Sequence, residues 1–167
     1  MHQLLTVGHS NHTVERLLSL LELHGVQVLV DVRSQPYSRF ATQFNREQLI
    51  PHVTEAGLQY LFMGEELGGR QLGRIISTDK RLEAYEQVAA STNFRRGIER
   101  LLTGAQTYRI ALLCAEEDPT ECHRRVWVTR ALLEAGAEVA HLRGGGRLDE
   151  DSALKQYEGY QLDLFEG

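Results

Sequence analysis

The chain has only two cysteines, one tryptophan and three prolines in 167 residues, and no apolar run approaches the roughly 20 residues that cross a bilayer. Two cysteines are too few for a disulfide framework and fit a reducing compartment. Met1-His2-Gln3 leads straight into an apolar strand pattern without the features of a secretory signal, so a cytoplasmic location is expected and no membrane partner. An excess of basic charge is also missing. Eighteen Lys and Arg face 23 Asp and Glu, a net charge of −5, which excludes coating nucleic acid by bulk electrostatics. Two local basic stretches remain, Arg33, Arg39 and Arg46 in one, and Arg124, Arg125 and Arg130 in the other. Low-complexity tracts and internal repeats are absent.

What is present has the size and composition of one globular domain: 42% hydrophobic and 25% charged residues in a length that can bury well over half of its unfolded surface. Leu4-Leu5-Thr6-Val7 ending at Gly8 has the composition of a buried parallel strand. From Thr13 the leucines recur at helical spacing until Gly25, and Val26–Val32 follows as a second strand. Asn45 stands where a helix to Ala56 would be capped, Gly57 would stop that helix, and Leu58–Phe62 supplies a third strand. A glycine-rich loop over 63–78 and two helices near 79–90 and 93–103 precede a fourth strand, Tyr108–Cys114. A helix from about Cys122 to Ala135, a fifth strand over Glu138–Leu142, Gly144-Gly145-Gly146 and a short last helix complete the pattern. Strands alternating with helices predict a single Rossmann-like α/β domain in three layers, its mostly parallel sheet holding about five strands. The α/β domain is expected over 1–148, with a C-terminal helix and tail over 149–167. Ligands of such sheets bind beyond the strand C-termini.

The polar motifs fall at those ends. Gly8 permits a tight turn and directs His9, Ser10 and Asn11 toward the crevice; Ser10 or Asn11 can instead cap the next helix. His9 has no capping role, and an imidazole exchanges protons near neutral pH. Asp31-Val32-Arg33 breaks an apolar run with two charges, where Arg33 can grip an anionic ligand in fork geometry while Asp31 orients it or a histidine. Ser34, Ser38 and Arg39 are placed around the same ligand, with Pro36 stiffening their loop. In Cys114-Ala115-Glu116-Glu117-Asp118-Pro119-Thr120-Glu121-Cys122-His123-Arg124, two thiols bracket a strand-loop-helix joint. Cys122, near a helix N-terminus and beside His123 and Arg124, is the thiol with more thiolate character; Cys114 is a second candidate nucleophile or a small buried hydrophobe, and Glu116 and His123 can serve as proton carriers. Arg124 is a second anion ligand. Zinc would draw on Cys114, Cys122, His123 and His9, but that spacing lacks the tight pairs of structural zinc sites, so neither a metal nor another cofactor is expected.

On Thr6-x-Gly8-His9-Ser10, Asp31-Val32-Arg33-Ser34 with Pro36 and Ser38, Phe44-Asn45, Cys114-Ala115-Glu116 and Cys122-His123-Arg124, the chain resembles the bacterial family named domain of unknown function 488. The resemblance implies that these positions form one shared site; it brings no reaction with it. A second resemblance, to rhodanese-like and cysteine phosphatase domains, rests on Asp31-Val32-Arg33 and on a cysteine between an apolar strand and a helix. The chain departs from that pattern in the longer, acidic loop after Cys114, where a persulfide or phosphate cradle needs backbone N–H groups and Arg. Finally, Gln161-Leu162-Asp163-Leu164-Phe165 resembles the short peptide by which bacterial replication and repair proteins dock on the DNA sliding clamp. Leu164 and Phe165 would fill an apolar pocket and Gln161 would fix register; the alternative is that Leu162, Leu164 and Phe165 pack on the domain. The leading expectation is an enzyme-like domain that takes a nucleotide or nucleic-acid-related substrate and is recruited by the clamp. The rivals are a thiol-dependent transferase or phosphatase-like hydrolase of small molecules, and a non-catalytic sensor of a small anionic ligand.

Overall fold

The computed structural model describes residues 1–69, 81–119 and 124–151, the side chains of 81–83 and 124–126 excepted. They form a mixed α/β domain around one sheet of six strands in the order β3-β2-β4-β1-β5-β6. The elements, in chain order, are β1 (Leu4–Gly8), α1 (Val14–Leu23), β2 (Val28–Asp31), α2 (Arg46–Glu55), β3 (Gln59–Phe62), α3 (Gly64–Leu67), α4 (Arg81–Ala90), α5 (Thr92–Ala105), β4 (Ile110–Cys114), α6 (Arg130–Glu134), β5 (Val139–Leu142) and β6 (Leu148–Glu150), with a 3₁₀ turn at Thr42–Phe44 and a π turn at Arg124–Thr129.

The first five strands are parallel, and β1, β2, β4 and β5 are buried along their whole length, which is why they read as largely apolar runs, broken at Thr6, Asp31 and His141. Strand parity divides the core. Leu5, Val7, Leu29, Ala111, Leu113 and Ala140 face α1 and α2. Leu4, Val28, Val30, Ile110, Leu112 and Val139 face α4, α5 and α6. Val14, Leu17, Leu20 and Leu21 form the buried stripe of α1, and the stripe of α5 is Phe94, Ile98, Leu101 and Ala105.

The chain leaves β1 for α1 on one face and leaves β4 toward α6 on the other, so the two adjacent strands send their connections apart. That divergence makes the ends of β1 and β4, beyond Gly8 and Cys114, the switch point at which such sheets take ligands, called the crevice below.

Three local expectations are corrected. The start of α1 is capped by neither Ser10 nor Asn11: the Thr13 hydroxyl accepts from Arg16 N–H at 3.0 Å, and Ser10 and Asn11 lie exposed in the preceding turn. The glycine-rich segment after β3 is not all loop, because α3 packs against α5 where Gly97 leaves room for Leu67. The sheet has six strands rather than five, because Gly144–Gly146 make a hairpin turn and Leu148–Glu150 pairs antiparallel with β5 where helix was expected from 149. Asp149 and Glu150 have low strand propensity, and it is the Arg143–Asp149 ion pair at 2.8 Å that holds this strand in place.

Candidate functional site

Beyond the last paired residues, the β1 and β4 backbones stay zipped for one more step. His9 N–H donates to the Cys114 carbonyl at 2.9 Å and Ser10 N–H to that of Ala115 at 2.8 Å. The approach is so close that a Cβ on Gly8 would overlap the Glu116 carbonyl. Ser10 then adopts φ +47°, a left-handed conformation rare outside glycine. In that conformation its carbonyl meets His9 Nδ1, 2.8 Å away. The Nδ1 proton is therefore donated backwards and the lone pair is left on Nε2. The ring is 4% exposed and stacks on buried Phe44 at 4.7 Å between centroids. Burial, above all, lowers the His9 pKa from 6.5 to about 4. This corrects the expectation of an imidazole poised near neutral pH: His9 is a neutral hydrogen-bond acceptor there.

Asp31 and Arg33 form a buried pair. Asp31 Oδ1 accepts from Arg33 N–H at 3.1 Å and Nε at 2.8 Å, and Oδ2 accepts from Arg33 Nη2 at 2.7 Å and from the Tyr60 hydroxyl at 2.5 Å. Four bonds match what a carboxylate can accept. Asp31 is thus an anchor with no lone pair left for moving protons, and two donors of the Arg33 fork expected to grip a ligand are spent on it. The Tyr60 pKa is pushed upward, by burial first and by the Asp31 charge second, so the phenol stays a donor. Gly64 and Gly68 let α3 press against this cluster. A Cβ on either would run into the Arg33 carbonyl or the Ser34 side chain respectively.

The loop from Ser34 to Asn45 walls the crevice. Asn45 gives no side-chain cap to α2; its Oδ1 accepts from Ser38 N–H at 2.7 Å. Ser38 Oγ accepts from Phe40 and Ala41 N–H at 3.1 and 3.2 Å, so Ser38 shapes the loop, while Arg39 stands exposed. Arg46 lays its guanidinium 4.7 Å from the Phe62 ring centre and 6.0 Å from that of Tyr60.

On the far wall, Cys114 is 2% exposed and disulfide-bonded, with Sγ 3.2 Å from Glu116 Oε2. While bridged the sulfur is no nucleophile, and reduction would return it as a thiol. Glu116 itself is exposed. Glu117 is held by Arg143 through two bonds of 2.9 and 2.8 Å and by Gly144 N–H at 3.0 Å, which ties this wall to the β5–β6 hairpin. Cys122, His123, the Arg124 side chain and the tail residues Gln161, Leu162, Asp163, Leu164 and Phe165 lie outside the described residues. Among the described residues, no group of three His, Cys, Asp or Glu is arranged to hold a metal ion.

The structure thus brings together His9, Ser10, Asp31, Arg33, Ser34, Ser38, Cys114 and Glu116 at the strand ends. Phe44, from the Phe44-Asn45 motif, belongs with them, and so does Tyr60, which carries no motif in the sequence. Tyr60 shares a sheet face with Asp31 through parity and the Asp31↔Phe62 register, a signal available once the strands are aligned. An apolar cleft of about 690 Å³ lies between β2, β3 and α5; Tyr60 is among its lining residues, and none of the residues singled out in the sequence is.

A model of the family described as Domain of unknown function DUF488 matches residues 13–131. The match takes in Asp31, Arg33, Tyr60 and both cysteines and begins after Gly8-His9-Ser10, so it is narrower than the span of motifs read in the sequence. No curated protein and no solved structure matches the chain.

Proposed function

The chain belongs to the DUF488 family, and we propose that it is a cytoplasmic protein that binds a nucleotide or nucleic-acid-related ligand beyond the C-terminal ends of β1, β2 and β4 and is recruited by the DNA sliding clamp. The observation that carries the reading is His9: a neutral imidazole, locked by Ser10, stacked on Phe44 and offering Nε2 at the switch point. Such a nitrogen accepts a hydrogen bond from a base or sugar. Arg39 and Arg46 supply positive charge on the wall, and the Asp31–Arg33–Tyr60 cluster keeps the floor rigid. The net charge of −5 suits delivery by a partner better than unaided capture of DNA.

Two measurements test the two halves. Nucleoside monophosphates, titrated calorimetrically into the full chain, are expected to bind, and His9→Asn to bind roughly tenfold less tightly, the worth of one hydrogen bond. Nε2 accepts that bond only while unprotonated, so binding should hold steady from neutral pH downward and weaken as the pH falls through about 4, and His9→Asn should lack this loss. Absence of binding by any nucleoside monophosphate ends the crevice reading. For recruitment, Leu164→Ala with Phe165→Ala should abolish binding to a purified sliding clamp; equal binding by the variant and the wild type would sink it.

A further inference from the structure

Between Asp31 and Glu47 the chain carries no acidic residue and three arginines, an acid-free stretch in a protein of net charge −5. Arg33 is matched by Asp31, which leaves Arg39, exposed, and Arg46, half-buried with its guanidinium over Phe62, as the other charges of the stretch. The same stretch holds two aromatic rings in water: Phe40 is 93% exposed, the highest of the exposed large hydrophobics, and Tyr37 is 58% exposed. An exposed phenylalanine forgoes roughly 1.5–3 kcal/mol of burial. Nor does a slack loop account for it. Ser38 Oγ ties down Phe40 and Ala41, Asn45 ties down Ser38, and Arg46 N–H donates to the Pro36 carbonyl at 3.0 Å. Phe44 roots the segment beneath His9. The loop is built to present its rings.

Deepening the nucleic-acid reading above, on which it rests, we propose that Tyr37–Phe40 is a stacking platform for unpaired bases of single-stranded nucleic acid, with Arg39 and Arg46 beside its phosphates. An aromatic face accepts any base, and bases in a duplex are already stacked and closed to it. The exposed neighbours of the rings are Gln35, Arg39 and Thr42, and with no carboxylate between Asp31 and Glu47 the stretch is complementary in charge to a phosphodiester strand.

The test is fluorescence anisotropy of the full chain with labelled oligothymidylate and with a strand of the same phosphodiester length lacking bases. The wild type should prefer the strand with bases. Phe40→Ala should weaken oligothymidylate binding roughly tenfold or more and erase that preference, with its melting temperature unchanged because the ring touches water. Phe40→Trp should retain binding, with its indole quenched on stacking; Trp127 is fully buried and adds only a constant background. Equal binding of the two strands overturns the platform, as does unaltered affinity in a Tyr37→Ala, Phe40→Ala double variant, and as does no oligothymidylate binding at all, the result a protein-binding loop would give. Failure of the platform alone leaves the nucleoside monophosphate titration positive and sensitive to His9→Asn. Failure of the crevice reading alone leaves oligothymidylate binding sensitive to Phe40→Ala and insensitive to His9→Asn.

Discussion

Asp31→Ala is expected to lower the free energy of unfolding by about 3–5 kcal/mol, because it strands the Arg33 guanidinium, 6% exposed, without its counter-charge. The Tyr60 hydroxyl loses its acceptor in the same step. In a chain of this size that corresponds to a fall in melting temperature of roughly 6–20 °C. The penalty belongs to the uncompensated charge rather than to the strength of the pair, so removing both partners should cost much less: Asp31→Ala with Arg33→Met is expected to recover a large part of the loss. Urea unfolding of the wild type and the two variants decides it. A single variant within 1 kcal/mol of the wild type would mean that water reaches Arg33 and that the floor of the crevice is not the closed unit described above.

The second large effect is on acid stability. An unfolded histidine titrates at 6.5, whereas His9 in the folded protein titrates at about 4. Between those values the unfolded chain holds a proton that the folded chain excludes. The stability gained by keeping His9 neutral is therefore complete above 6.5, declines as the pH falls below it, and is gone at about 4, a loss on the order of 3 kcal/mol. His9→Asn keeps a donor for the Ser10 carbonyl and removes the titration. Carboxylates contribute equally to both proteins, so the difference in unfolding free energy between wild type and variant isolates His9. The wild type should lose more over this range, and parallel curves would show that the imidazole is not shielded.

Much of this architecture is legible in the chain itself. The buried strands announce themselves because a parallel sheet covered on both faces needs an apolar residue at nearly every position, and Leu4–Val7 and Ile110–Cys114 supply it. The site is legible for the complementary reason: Asp31 and Arg33 interrupt such a run, and charges are rarely placed there without partners. What the partners are is not legible. Arg33 pairs with the residue two positions before it rather than with a ligand, and Tyr60, 29 positions from Asp31, is brought in only by the register of β2 against β3. His9 shows the same limit, since its residue type predicts titration near neutrality and its burial on Phe44 decides otherwise. Strand β6 is hidden because its stability comes from Arg143 and from pairing with β5, not from its own residues.

That short strand also gives the sheet two unlike borders. At one, β6 offers a margin only three residues long, with Asp149 already paired to Arg143 and Arg147, too brief to template a further strand. At the other, β3 presents alternating exposed and half-buried residues, and among the described residues nothing pairs with its outer side. Backbone pairing between copies would therefore join like border to like border at β3 and leave the short β6 margin at both ends of the joint sheet, an association that closes at two molecules instead of propagating into a filament.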